Sequence, residues 1–177
     1  MTAILETEIC RLLPLHPDHA EDYIALANHP QIRDRVNNTI PYTQKHFDEL
    51  LAAMAKNPRH LTWVIDVEDV ICGAVTTGAM GCPERFQGGY WLHPDYWSRG
   101  LATAALTISN HFIWDHFTDA QRIQAVVEPD NVASIAVLKK CGYQREGLLR
   151  KFYPTRYRGL VDVLMYAMIR EGFSGDD

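Results

Sequence analysis

The residues best suited to chemistry lie in one stretch, Gly89-Tyr90-Trp91-Leu92-His93-Pro94-Asp95-Tyr96-Trp97-Ser98-Arg99-Gly100-Leu101-Ala102-Thr103. An aromatic strand, a tight turn and a helix start follow one another there. The first N–H groups of a helix have no acceptor within it, and the macrodipole adds about half a positive charge, so main chain alone can hold a phosphate. An anion approaches such a turn only where the chain carries little bulk. Gly100 meets that need, and Ala102 stays small. A single glycine before a helix also serves an ordinary loop. No Gly-Lys-Ser/Thr follows it, and the further glycines of a dinucleotide fingerprint are missing. A turn built for ATP would set a lysine and metal-binding carboxylates beside it, and this one does not.

Other groups capable of chemistry are scattered. His16 with His19, and His111 with His116, lack an evident third ligand, and no H-E-x-x-H occurs, so no metal site is expected. Cys10, Cys72, Cys82 and Cys141 form no C-x-x-C pair and read as reduced thiols. Arg145, Arg150, Lys151, Arg156 and Arg158 make a basic region read as a solvated face. Phe152, Tyr153, Tyr157 and Trp63 fit a core as well as an acceptor pocket.

The elements that must position these groups alternate along the chain. Strand 9–15 precedes helix 17–28, where Ala20, Tyr23, Ile24 and Ala27 recur at helical spacing. Segment 29–42, with Pro30 and Pro41, reads as mostly irregular with a short helix at 32–36. Thr43 caps a helix carrying Phe47, Leu50, Leu51 and Met54. Runs 61–67 and 70–75 form a hairpin, and 88–92 is a short strand closed by Pro94. From Gly100 to about His116 two apolar stripes, one through Leu101, Ala105, Ile108 and Phe112 and one through Ala102, Leu106 and Ile113, predict a helix buried against a sheet. Strand 123–127, helix 132–141 stopped by Gly142, and strands 143–153 and 160–169 complete the order.

A chain of 177 residues holds one domain of ordinary size, 1–177 with its core over about 9–169. With 17 Lys plus Arg against 22 Asp plus Glu, the net charge of −5 lacks the footprint of a general nucleic-acid binder and suits an amine or basic partner. No apolar run approaches the roughly 18 residues of a membrane span, and Glu6 and Glu8 stand where a leader would be apolar. A cytoplasmic protein with no membrane partner is expected.

Trp97-Ser98-Arg99-Gly100-Leu101-Ala102-Thr103 resembles the R/Q-x-x-G-x-G/A acetyl-CoA signature of the GNAT N-acetyltransferase superfamily. With Tyr90-Trp91-Leu92 before it, it resembles the branch related to ribosomal-protein alanine and serine acetyltransferases. Trp97 departs from the Gln or Arg of many members but is common in that branch. Asn131-Val132-Ala133-Ser134, Cys141-Gly142-Tyr143 and Glu146-Gly147 match the branch's N-x-x-S, C-G-F/Y and E-G stations in order. The resemblance implies an α/β fold, a central mixed sheet splayed at its middle strands and flanked by helices. It implies a transferase that moves acetyl from acetyl-CoA to a primary amine, a protein N-terminus or a small amine, by direct attack in a ternary complex. Dimers are frequent in the branch, so a homodimer is possible on this reading.

By the same resemblance pantetheine lies in the splay and pairs with main chain around Trp91 and Leu92, while pyrophosphate meets the amides of Ser98, Arg99, Gly100, Leu101, Ala102 and Thr103. Asn131 bonds the pantetheine arm and Ser134 approaches the thioester sulfur as proton donor, a part that a Tyr or water can also play. A purely local arrangement, Asn131 capping a helix with Ser134 at its third position, uses the same residues. Lys139 and Lys140 either reach the 3′-phosphate or complement their own helix dipole. An alkylammonium, with a pKa of about 10.4, must lose a proton before it attacks. His93, Glu84 and Glu128 are the candidate bases, each with a plain structural alternative, and a water chain is the fourth option. A non-enzymatic acyl-CoA sensor on the same cleft is the alternative to catalysis.

Overall fold

The computed structural model describes residues 3–33, 41–155 and 158–170. Among them the chain runs β1 (Leu5–Glu6), β2 (Arg11–Pro14), α1 (Ala20–Ala27), α2 (Pro30–Arg33), α3 (Gln44–Lys56), β3 (His60–Val67), β4 (Val70–Ala79), β5 (Arg85–Leu92), α4 (Leu101–His116), β6 (Arg122–Val127), α5 (Val132–Lys140), β7 (Gln144–Thr155) and β8 (Gly159–Ile169). The strands form one mixed sheet in the order β1-β2-β3-β4-β5-β6-β8-β7.

Both faces of this sheet are covered. On one, Leu101, Ala105, Leu106 and Ile113 of α4 and Leu138 of α5 pack on Leu12, Trp63, Ile65, Phe86 and Ile123. On the other, Tyr23 and Ala27 of α1 and Phe47 of α3 pack on Val64, Ala74 and Trp91. The two apolar stripes of α4 thus fit its place against the sheet, where buried Ser109 donates to the Leu106 carbonyl (3.0 Å) and buried Asn110 accepts from the Tyr143 hydroxyl (3.0 Å).

Several elements differ from the sequence reading at their ends. The first strand is shorter, Arg11–Pro14, and gains a partner in β1. Pro17–His19 is a 3-10 turn leading into α1, because Pro17 lacks an N–H and His16 Nδ1 caps the turn by accepting from the Asp18 amide (3.4 Å). Within 29–42 the helix begins at Pro30, and the rest of the expected 32–36 helix lies outside the described residues after Arg33. β5 starts at Arg85, three residues before the expected Gly88, since Arg85, Phe86 and Gln87 pair with β6, and Phe86 and Gln87 with β4 as well.

The β3–β4 hairpin turns through Glu68 (φ 52°) and Asp69 (φ 63°), both left-handed as a two-residue hairpin turn requires. Asp69 accepts from Arg11 Nη2 (2.6 Å), and the same guanidinium reaches buried Asp66 (2.7 Å). On β4, Gly73 lies opposite Leu92, and a Cβ there would sit 2.3 Å from the Trp91 carbonyl oxygen. Since backbone cannot yield as a flexible side chain does, Gly73→Ala is expected to lose about 2 kcal/mol or more in urea unfolding. Cys82 is exposed while Cys10, Cys72 and Cys141 are buried, and burial pushes the Cys72 thiol up to about 12. A thiol reagent should accordingly label Cys82 in the native protein and the other three only on unfolding.

Candidate functional site

The sheet opens at its middle. β5 and β6 pair in parallel from Arg85 with Arg122 to Gln87 with Gln124, where the two amide side chains also bond across the strands (2.9 Å), and the ladder stops there. β5 continues to Leu92 paired only with β4, and β6 continues to Val127 paired only with β8. Each strand keeps its outer neighbour and has no strand partner on its inner edge. Gly88 and Gly89 sit at the fork, and a Cβ on Gly89 would meet open space.

Which groups of β5 face the opening follows from ladder parity. Antiparallel pairs alternate between residues that exchange both bonds and residues whose polar groups point the other way. The His93 amide donates to the Cys72 carbonyl (2.8 Å) and the Met80 amide to the Arg85 carbonyl (2.8 Å), so odd-numbered residues of β5 point their N–H and C=O to β4. Trp91 is among them, and its ring packs on Tyr23 across the other face (5.2 Å). Of the two residues expected to pair with pantetheine, Leu92 faces the opening and Trp91 does not. Tyr90 takes the second place.

At the end of β5 the chain makes a 3-10 turn over Pro94–Tyr96 and reaches Gly100, the N-cap of α4. Ser98 (φ 60°) and Gly100 (φ 80°) are left-handed on either side of Arg99, a pattern that turns successive amides into one concavity. No side chain caps α4. Trp97, Ser98, Arg99 and Gly100 are exposed, Leu101 is buried, and Ala102 and Thr103 are half-buried. Arg99 lies over the Tyr96 ring (5.0 Å), and Trp97 Nε1 donates to the Leu92 carbonyl (2.9 Å) while its indole stays 48% exposed. The corner is open, positively polarised and flanked by a guanidinium.

Across the opening stands α5. Asn131 Oδ1 accepts from the Ser134 amide (3.2 Å), the local capping arrangement that the spacing allowed. Ser134 Oγ in turn accepts from the Tyr90 hydroxyl (3.0 Å), a bond that reaches from β5 to α5. Burial raises the Tyr90 pKa, and the bond to Ser134 offsets part of that rise. In the sequence Tyr90 belonged to the strand and to the Tyr90-Trp91-Leu92 resemblance, with no site role of its own. Its signal was its place two residues before Leu92, on the same face of the pleat.

The three candidate bases are placed very differently. Glu84 precedes β5 and its carbonyl accepts from the Gln121 and Arg122 amides, so it sits at the closed end of the fork. The eight residues of β5 set it roughly 25 Å from Leu92 at about 3.3 Å per residue. Glu128 stands just past β6 near the opening, but both its oxygens are held by the Arg158 guanidinium (2.7 Å each). His93 adjoins Leu92, and its Nδ1 accepts from the Asp95 amide (3.3 Å) and lies 3.6 Å from the Asp95 carboxylate. Its ring meets His29 edge-on at 4.8 Å. The other histidine pairs lie elsewhere: His19 Nδ1 accepts from the His16 amide (3.2 Å), and His116 stacks on Phe112 (5.0 Å). Among the described residues no group of three or more His, Cys, Asp or Glu is arranged for a metal, and no helix is long and apolar enough to cross a membrane.

Known proteins share this architecture. Residues 10–144 match the family model described as "Acetyltransferase (GNAT) domain". The chain is 36% identical over 93 residues to the uncharacterized N-acetyltransferase p20 of Bacillus licheniformis, a match covering 51% of this chain and 50% of that protein. The chain thus spans about half the length of that curated relative. Among solved structures it superposes on the ribosomal-protein-S5-alanine acetyltransferase of Vibrio fischeri with a TM-score of 0.83, at 18% identity over 98% of this chain and 100% of that one. Mycobacterium smegmatis RimJ, in complex with CoA-disulfide, gives a TM-score of 0.79 at 26% identity over 93% of this chain and 83% of that one. With its forked mixed sheet and the family model matched over most of its length, the chain belongs to the GNAT acetyltransferase family.

Proposed function

We propose that the protein transfers acetyl from acetyl-CoA to a primary amine, a protein N-terminus or a small amine, by direct attack in a ternary complex. The observation that carries this reading is the fork between β5 and β6, which ends beside the exposed, uncapped start of α4. A diphosphate fits the amides of residues 98–103, with Arg99 beside them. Pantetheine then runs into the opening as an added strand and finds the inward-facing groups of Tyr90 and Leu92.

The chemistry follows from that placement. The Leu92 N–H faces the thioester carbonyl and receives the oxyanion of the tetrahedral intermediate. Ser134 donates a hydrogen bond to the departing sulfur. Asn131 keeps its Oδ1 in the helix cap and offers Nδ2 to the pantetheine amide. Glu84 stands too far from this centre to serve as base, Glu128 is clamped by Arg158, and His93 Nδ1 is engaged by the Asp95 amide. The ammonium proton leaves through water. The likeness to acetyltransferases that act on ribosomal proteins supports a protein N-terminus as one acceptor class.

The decisive experiment measures CoA release from acetyl-CoA across a panel of amines and N-terminal peptides. Amine-dependent release is expected; saturable acetyl-CoA binding with no release across the panel would instead identify a non-enzymatic acyl-CoA sensor. Gly100→Asp, which puts bulk and negative charge at the corner, should abolish CoA binding in calorimetry while circular dichroism stays native. Asn131 separates its two roles by substitution. Asn131→Ala should lower unfolding stability by about 1 kcal/mol through loss of the cap. Asn131→Ser should keep that stability and still weaken CoA binding, because the hydroxyl caps but does not replace Nδ2.

A further inference from the structure

The geometry points to Tyr90 as a positioning residue that fixes the direction of the Ser134 hydroxyl, so that Ser134 aims its hydrogen at the CoA sulfur. This inference rests on the acetyl-CoA reading above.

The argument begins with the rotor. A serine hydroxyl has one hydrogen and two lone pairs, and its hydrogen swings freely unless a neighbour selects an orientation. Here the Tyr90 hydroxyl lies 3.0 Å from Ser134 Oγ and donates to it. An oxygen that accepts from Tyr90 cannot point its own hydrogen along the same line. That hydrogen is turned away, toward the remaining side of the fork.

Position gives the bond its consequence. Tyr90 is on β5 three residues beyond Gln87, the last to pair with β6, and Ser134 is in the first turn of α5, which follows β6. The pair therefore joins the two walls of the opening at the level where Tyr90 and Leu92 present their main chain to a guest. Tyr90 packs against the core below this level, so its ring has little freedom to follow another partner. Burial, partly offset by the bond to Ser134, disfavours the phenolate, so Tyr90 keeps its hydroxyl hydrogen.

The step itself balances without Tyr90 ionising. The amine lone pair forms the N–C bond and the carbonyl electrons move to oxygen. When the intermediate collapses, the C–S bond breaks and its electron pair goes to sulfur, while the proton lost from nitrogen passes to water. Ser134 stabilises the thiolate by a hydrogen bond and retains its own proton; water protonates the thiolate afterwards.

The test needs no acceptor. CoA labelled with carbon-13 beside its sulfur reports thiol ionisation by its chemical shift, and a pH titration of the wild-type complex should show a thiol pKa below that of free CoA. Tyr90→Phe retains the ring and should raise the bound thiol pKa by about one unit, with CoA affinity in calorimetry within about twofold of wild type. Ser134→Ala should raise it at least as far, and adding Tyr90→Phe to Ser134→Ala should change nothing more. A bound thiol that titrates as in free CoA, an unchanged value in Tyr90→Phe, or a Tyr90→Phe shift that persists without the Ser134 hydroxyl would overturn the role of Tyr90 alone. Failure of wild-type protein to bind CoA would remove the reading on which it rests.

Discussion

Two strands that part while each keeps its outer neighbour set the terms for everything else in this molecule. β5 is held by β4 through Leu92, and β6 by β8 through Val127, so after Gln87 and Gln124 no strand pairs with either inner edge. An unpaired strand edge in water is ordinarily a liability, because it templates pairing with whatever chain arrives. Here the exposed edge is short, enclosed between two covered sheet faces, and adjoined by a helix start that favours anions. Those three properties suit the proposed guest, with its extended amide-bearing arm and charged end.

The local devices around the fork serve this division. Gly73 lets β4 approach β5 where a side chain would strike the Trp91 carbonyl, so the outer ladder holds to its last residue. The Gln87–Gln124 bond marks where the two strands separate. On the far side α5 begins at Asn131, whose cap fixes the first turn and with it the position of Ser134. The covering of both sheet faces, by α4 and α5 on one and α1 and α3 on the other, leaves the site accessible mainly along the sheet plane.

Much of this was legible from residue types and spacing. The Gly100 corner with the helix beyond it, and the Asn131–Ser134 pair, are each local in sequence, where turn chemistry and helical period act. Ladder parity was not legible. Whether Trp91 or Tyr90 faces the fork depends on pairing with β4, set by the turn that brings Met80 against Arg85, and alternation alone fits both. The position of Glu84 was not legible because β5 is three residues longer than its aromatic part, which carries Glu84 to the closed end. The pairing of Glu128 was not legible because Arg158 arrives from a hairpin thirty residues downstream. The Tyr90–Ser134 bond spans 44 residues and has no local signature at all.

Trp97 acts as a ruler. Its indole N–H satisfies the Leu92 carbonyl, so the row of vacant peptide groups terminates there and does not run on into the turn. For the guest proposed above, this leaves a single register, with its reactive end at one depth. A residue with no ring nitrogen at that spot would leave the row one acceptor longer, and the visitor would have two ways to settle.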